Sequence, residues 1–511
     1  MSLPGWLEPL PDAGQQQAND AWAIEERGIA GLTLMERAAT GLAELTAECV
    51  PHGRIAVVCG KGNNGGDGLV AARLLRERGR EVDVLLIGQA EDLHGDARTS
   101  LERLPGPPPQ PFSPPGLEGA AGIVDALLGT GFSGAVREPA AGAITAINQA
   151  GVPVVACDGP SGVDASTGEV EGAAVQATAT ATFAAAKPGL WIAPGKSYAG
   201  QVRVVDIGIP PGAPAEPKIG LLGDAVTDAL PRRGHDSSKF AAGSLIVCGG
   251  STGLTGAPSM AAAAAMRAGA GYVTLLVPNS LNLIFEQRLI EVMSVPLPDD
   301  EGKLTADSLS PALERAASGG AVVVGPGLGR DRRTQDFARA LTAQVQAPVL
   351  LDADGLNAHA GALESLRPRP APTVLSPHAG ELGRLLQRES SAVQARRLHN
   401  VRAGAAAAEA IVILKGDDTL VADPSGTVAV NPGGSPALAT AGTGDVLSGI
   451  IGAYLSKGVD AFHAACAAVY VHAEAGRVAA EEIGEEGVVA SDVSERLPHA
   501  LSRIRSRRAL D

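Results

Sequence analysis

Short apolar runs that end at glycine, aspartate or lysine recur along the chain, and alanine-rich stretches of helical character separate them. Runs of this kind are buried on both faces, and the stretches between them are long enough to cross back over a sheet. The pattern restricts the chain to parallel sheets covered by helices, the α/β class. In the first half the predicted strands are 55–60, 82–88, 123–128, 152–158 and 202–207. In the second half they are 244–249, 272–277, 321–325, 349–352, 373–376 and 411–415. Helices are expected at 33–49, where Thr33 and Glu36 fit a capping box, and at 69–78, 446–455 and 461–480.

A chain of 511 residues exceeds what one core normally supports. The segment 210–217, PPGAPAEP, is too rich in proline for helix or strand and reads as a linker. This gives two domains, 1–215 and 216–511, the first a Rossmann-like α/β/α sandwich. The proline-rich stretch 105–115 reads as a surface loop of the first domain. Aromatic residues make up only 3%, so Ala, Val, Leu and Ile must fill both cores.

A net charge of −15 argues against non-specific nucleic-acid binding, which needs a basic surface. An anionic ligand would need local help from helix N-termini, a lysine or a metal ion. The five cysteines are scattered without metal-ligand or redox spacing, which suits buried free thiols in a reducing cytoplasm. The first residues lack the basic start and apolar core of a secretory leader, and no apolar stretch is long enough to span a bilayer. A soluble, cytoplasmic protein without a membrane partner is expected, as a homo-oligomer.

The segment Gly60-Lys61-Gly62-Asn63-Asn64-Gly65-Gly66-Asp67-Gly68 lies between a predicted strand and a predicted helix. Its glycines would let the backbone approach a ligand, and the helix N-terminus would favour a phosphate. It contains G-x-G-x-x-G, so a dinucleotide-binding dehydrogenase is one reading. That site also wants an acid at the end of the second strand, and Leu86-Ile87-Gly88-Gln89 supplies none. Asp125 precedes a second glycine-rich loop, Gly129-Thr130-Gly131-Phe132-Ser133-Gly134-Ala135. Asp158 and Ser161 follow another predicted strand, and Lys187 follows an alanine run. Strand ends of an open parallel sheet converge on one crevice, where ligands bind. Asp158 is the candidate acid/base and Lys187 its charged partner, unless Lys187 is simply an exposed lysine with its stem on the surface.

In the second half, Gly442-Thr443-Gly444-Asp445 leads straight into an apolar helix. Amides gathered at such an N-terminus can hold a phosphoryl group, and Asp445 beside them can take the proton of a hydroxyl. The combination looks like the ribokinase-type phosphotransfer fold. Lys415-Gly416-Asp417-Asp418-Thr419 follows a strand and can hold nucleotide phosphates. Gly327 sits in another strand-end glycine loop, and Asp352 and Asp354 could orient substrate or magnesium. His378 and Glu381 lie together after a strand, where the histidine is either structural or a ligand contact. His463 and His472 fall in a helical region and are given no functional role.

NNGGDG, DALLGTGFSG and DGPSG, in this order, resemble the NAD(P)H-hydrate epimerase family over about residues 15–210. The resemblance implies a substrate site at Asn63, Asn64, Gly65, Gly66, Asp67, Gly129–Ala135 and Asp158, with potassium held by Asn64, Asp125 and Ser161. The blocks after residue 225, including Thr255-Gly256-Ala257-Pro258, resemble ADP-dependent NAD(P)H-hydrate dehydratases. That resemblance implies hydrate contacts at Ala257, Gly327, His378 and Asp445, and adenine-nucleotide contacts at Lys415–Thr419 and Gly444. Ser238-Lys239-Phe240 and Ser435 depart from its usual residues. The two halves together resemble the bifunctional NAD(P)H-hydrate repair enzymes, with ADP and Mg²⁺ as expected cofactors and NADHX and NADPHX as substrates. The rival readings are a kinase of a vitamin-type alcohol with an N-terminal ligand-binding module, and a non-catalytic partner-binding protein.

Overall fold

The computed structural model describes residues 3–234, 238, 239, 242–367 and 369–509, so Phe240 of the departing run lies outside the described residues. The chain divides into two compact units, Met1–Leu3 with Pro9–Gly220, and Pro4–Glu8 with Leu221–Asp511.

The first unit holds a seven-stranded parallel sheet. Its strands lie in the order Gln110–Pro111, Val82–Leu86, Ile55–Cys59, Gly122–Ala126, Val154–Cys157, Ala179–Phe183 and Gln201–Val205. Counted from Ile55–Cys59 this is the doubly wound order 3-2-1-4-5-6, extended by one strand, and it reverses direction between Ile55–Cys59 and Gly122–Ala126. All residues of those two strands are buried, which is why the sequence there is a continuous apolar run. The helices Gly31–Cys49 and Asn63–Glu77 pack on one face through Leu34, Leu42, Leu69 and Leu75.

The second unit has an eleven-stranded sheet, in the order Leu7–Pro9, Ile219–Leu222, Val428–Val430, Leu420–Ala422, Ile411–Leu414, Thr373–Leu375, Val349–Leu351, Ala321–Val324, Ser244–Cys248, Tyr272–Pro278 and Met293–Leu297. From Ile411–Leu414 to Met293–Leu297 the pairing is parallel, while Leu420–Ala422 and Val428–Val430 run antiparallel. The helices Gly256–Arg267, Thr443–Ser456 and Ala461–Ile483 are rich in alanine and small apolar residues, so they lie close to the sheet and to one another.

The predicted strands form, but most stop one or two residues early, because the terminal glycine, aspartate or lysine turns away toward the sheet edge. Nine further strands among the described residues carried no clear signal: Ala179–Phe183, Ile219–Leu222, Met293–Leu297, Leu420–Ala422, Val428–Val430 and the short Leu7–Pro9, Gln110–Pro111, Asp299–Asp300 and Lys303–Leu304, of which Gln110–Pro111 lies within the stretch expected to be a surface loop. Ala-Thr-Ala-Thr-Phe lacks the branched apolar run of its neighbours and becomes a strand because it slots between Val154–Cys157 and Gln201–Val205. The capping box at Thr33 does not form. The helix begins at Gly31 with Ala30 as its cap and no side-chain bond there, and Glu36 instead pairs with Arg73. A capping box stands at Asp12 and Gln15, at the start of the helix Ala13–Glu25.

Candidate active sites

At the reversal point of the first sheet a cavity of about 780 Å³ opens over the strand ends. The helix after Ile55–Cys59 starts at Asn63, earlier than expected, so Asn63–Gly68 forms its first turns rather than a loop. This changes the reason for the glycines. A Cβ at Gly65 would stand 2.1 Å from the Gly60 carbonyl oxygen, and one at Gly68 would stand 2.6 Å from the Ala126 Cβ. Gly66 is closed in by Met35. These glycines seat the helix against the sheet and its neighbour, and the cavity is lined instead by Asn63, Asn64 and Asp67.

Asp158 has a left-handed backbone, φ 64°, immediately after its strand. Its Oδ1 accepts from Lys187 Nζ at 2.7 Å, and from Thr182 Oγ1 and the Phe183 amide at 3.2 Å. Lys187 is fully buried and also donates to Thr182 Oγ1 at 2.9 Å and the Phe183 carbonyl at 2.7 Å. An exposed lysine is therefore excluded; the strand that sequence patterning missed supplies four of the pair's contacts. Beneath them, buried Asp125 accepts from Ser161 Oγ at 2.6 Å and from the Ser161 amide at 2.8 Å. Burial raises the Asp125 pKa to about 6, and no described cationic side chain forms a salt bridge with it. The buried amide oxygen and nitrogen of Asn64 have no hydrogen-bond partner among the described residues.

In the second unit the strand ends gather a different set. Lys415 Nζ lies 3.0 Å from Asp352 Oδ1 and 3.8 Å from Glu381 Oε2. Gly442, φ 92°, turns the chain into the helix Thr443–Ser456, which begins earlier than the expected 446. Gly444 and Asp445 then fall in the first turn, where a helix has no acceptor for their amides. A Cβ on Gly444 would stand 3.6 Å from Lys415 Nζ, so the ammonium sits beside this turn. Asp445 is half-buried and has no hydrogen-bond donor among the described residues. Burial raises its pKa to about 7, with Asp352 adding to the shift and Lys415 opposing it.

The family model Carb_kinase, described as NAD(P)H-hydrate dehydratase, matches residues 245–499, and YjeF_N, described as YjeF-related protein N-terminus, matches 31–189. The bifunctional NAD(P)H-hydrate repair enzyme of Moorella thermoacetica is 40% identical over 513 residues, covering 97% of both chains. The chain belongs to this family of bifunctional NAD(P)H-hydrate repair enzymes. The Salinibacter ruber member is 39% identical, covering 96% of this chain and 95% of its own. Among solved structures, an ADP/ATP-dependent NAD(P)H-hydrate dehydratase from Bacillus subtilis, co-crystallised with ATP and Mg²⁺, is similar at 29% identity. It has a TM-score of 0.48 and covers 55% of this chain and 96% of that one. The second unit is an α/β domain with a mainly parallel sheet, and the Carb_kinase family model lies within it.

Within this NAD(P)H-hydrate repair fold the residues singled out from sequence separate into two groups. Asn63, Asn64, Asp67, Gly129, Thr130, Gly131, Phe132, Asp158 and Lys187 line the large cavity. Ser133, Gly134 and Ala135 instead line a smaller space of about 470 Å³ with Arg137 and Ala140. Gly327, φ 65°, is buried against Leu254, whose carbonyl oxygen would stand 2.3 Å from a Cβ there; Ala257 opens the helix that follows Leu254.

Several of these side chains already have partners within the protein. Asp418 is buried in an ion pair with Arg397 at 2.9 Å, so its carboxylate faces inward. Thr419 Oγ1 closes its own turn onto Gly416, and Thr443 Oγ1 bonds the Leu438 and Thr440 carbonyls. Both hydroxyls thus bond nearby carbonyl oxygens, and exposed Gly416 and Asp417 are what the first of these turns presents to solvent. His378 caps the helix Ala379–Leu386, its Nδ1 accepting from the Gly380 amide at 3.0 Å, and burial lowers its pKa. Its side chain is still 55% exposed. Sequence reasoning missed Asp20, which enters the large cavity from the helix Ala13–Glu25; a lone acid in a polar segment gave no signal.

Proposed function

We infer that this chain repairs hydrated NADH and NADPH in two steps: its first unit interconverts the R and S epimers, and its second dehydrates the S epimer with an adenine nucleotide. Full-length membership of the repair family supports this, together with two separate strand-end sites that differ in chemistry. In the second site Asp445, beside the amides of Gly444 and Asp445, takes the proton of the hydrate hydroxyl as a phosphoryl group transfers from ADP to its oxygen. AMP departs, and the new phosphate is a far better leaving group than hydroxide. The ring nitrogen's lone pair expels it, and loss of a proton from the adjacent carbon restores the dihydronicotinamide.

Lys415 holds the nucleotide phosphates by charge, and Asp352 fixes the ammonium. Ala257, Gly327 and His378 face the hydrate, and the Lys415–Thr419 turn meets the nucleotide through its backbone and Lys415. Mg²⁺ suits the oxygen donors here. Asp354 already accepts from the Gly329 amide and Asn357, so the ion would be held mainly by phosphates with Asp445 nearby. When bound it neutralises phosphoryl charge.

In the first unit Asp158, paired with Lys187 at 2.7 Å, is the acid/base. Potassium fits Asn64, Asp125 and Ser161: the orphaned amide oxygen and the buried carboxylate without a described cationic partner are hard donors suited to it. Its charge would offset that of Asp125 when bound. The reading includes a cytoplasmic, homo-oligomeric protein; no helix among the described residues is long and apolar enough to cross a membrane.

Incubation with mixed hydrate epimers, comparing ADP with ATP and following recovered dihydronicotinamide absorbance, tests the whole reading. Complete recovery of both epimers supports it. A stable phosphorylated product with no restored absorbance favours a simple kinase instead.

A further inference from the structure

The large cavity holds carboxylates of two kinds. Asp158 accepts hydrogen bonds from Lys187, Thr182 and the Phe183 amide. Asp67 lines the same cavity from the helix Asn63–Glu77, is only 9% exposed, and accepts no hydrogen bond from any described residue. An unpartnered carboxyl in such a position is stable as the neutral acid. Facing it are Asp158 and Lys187, Asp20 on the helix Ala13–Glu25, Asp96 on the helix Gly95–Glu102, and the thiols Cys59 and Cys157 in the sheet. Burial, with Asp158 and Asp20 adding to it, pushes Asp67 well above the usual carboxylate range, and burial keeps both thiols protonated. Two carboxylates whose surroundings separate them in this way can serve as acid and base at one pH.

We propose that Asp67 is the general acid of the epimerisation, acting on the departing hydroxyl while Asp158 acts on an incoming water; this rests on the epimerase reading above. The Asp67 proton passes to the hydrate hydroxyl, and the C–O bond breaks with its electron pair leaving on water. The lone pair of the adjacent ring nitrogen forms the C=N bond of an iminium ion. Water adds to the opposite face, forming the new C–O bond as the C=N pair returns to nitrogen, and its surplus proton goes to Asp158. Proton return from Asp158 to Asp67 through solvent resets the site. One water leaves and one enters per inversion. The cavity suits a cation: Asp20, Asp67, Asp96 and Asp158 line it against Lys187 and Lys61, and Lys61 pairs with Asp92 at 2.7 Å.

The test follows inversion of a purified hydrate epimer by the full chain in ¹⁸O-water without nucleotide. One solvent oxygen is expected at the ring carbon for each inversion, and the wild-type rate falls as rising pH removes the Asp67 proton. Asp67→Asn is expected to slow inversion about 10²–10⁴-fold, to remove that fall, and to leave nucleotide-dependent dehydration of the S epimer unchanged. Asp67→Glu retains part of the rate. Inversion without label, or a wild-type rate in Asp67→Asn, overturns the acid role and leaves the epimerase reading standing. A wild-type chain that does not accelerate inversion at all overturns both. Should Asp67→Asn not fold, the labelling and the falling limb of the wild-type pH profile decide between these outcomes.

Discussion

Lys415 Nζ lies 3.0 Å from Asp352 Oδ1, and the second oxygen of that carboxylate takes a 2.7 Å hydrogen bond from Ser448 Oγ. The lysine leaves the strand Ile411–Leu414, the aspartate leaves Val349–Leu351, and the serine stands one turn into the helix after Gly442. One carboxylate thus ties two strand ends to the helix that presents Asp445. Burial lowers the affinity of Lys415 for its proton, but Asp352 and Glu381 more than reverse this, so the ammonium stays charged.

Lys415→Met removes that charge and leaves Asp352, whose side chain is 3% exposed, with Ser448 alone. Breaking a fully buried pair costs about 3–5 kcal/mol, and the partial exposure of Lys415 puts this one at or below about 3 kcal/mol. Nucleotide-dependent dehydration is expected to fall about 10²-fold or more, with a raised KM for nucleotide. Epimer exchange in the same protein should be unaffected; steady-state kinetics with each assay checks both.

The dehydration rate should depend on the charge of Asp445. As a base it must be ionised, so the rate of the nucleotide-dependent step should climb with pH through about 7. Stability runs the other way. The folded pKa lies above the ordinary 3.8, so the native state holds the proton longer and loses stability as pH rises from about 4 to 7. Asp445→Asn should therefore gain stability relative to wild type across that window. Denaturant melts at several pH values would show a constant difference if the carboxyl were not perturbed.

The two activities should be separable by single substitutions. Asp445→Asn is expected to abolish nucleotide-dependent repair while epimer exchange continues. Asp158→Ala should do the reverse, each at a cost of about 10²–10⁴-fold. Wild-type repair by Asp445→Asn would remove the proposed base.

Lys187→Met should weaken the first unit. Lys187 is fully buried and Asp158 only 13% exposed, so the change strands a carboxylate and costs about 3–5 kcal/mol. Thermal melting should reveal it, and epimer exchange should fail even where the protein remains folded.

Gly65→Ala tests why the first glycine block exists. Its Cβ would meet the Gly60 carbonyl oxygen at 2.1 Å, so the helix Asn63–Glu77 must shift off the strand end. A loss of about 1–3 kcal/mol is expected, together with loss of epimer exchange. A variant of unchanged melting temperature would return this glycine to a purely ligand-contacting role.

Sequence alone was enough for the α/β class, most strands of both sheets and the motifs at their ends, because strands buried on both faces must be continuous apolar runs. It also carried the recurring blocks at 63–68, 158–161 and 442–445. Only the tertiary structure made Ala179–Phe183 a strand, and with it buried Lys187 against Asp158, since an Ala-Thr alternation has no burial signal until neighbouring strands enclose it. Asp20 and Asp67 likewise gained their place in the cavity from the packing of separate helices. The same packing gave Asp418, Thr419 and Thr443 partners within the protein. Local pattern reports which residues can be buried or can turn. Which polar groups face one another, and which are left without a partner, depends on long-range contacts that no local stretch of chain contains.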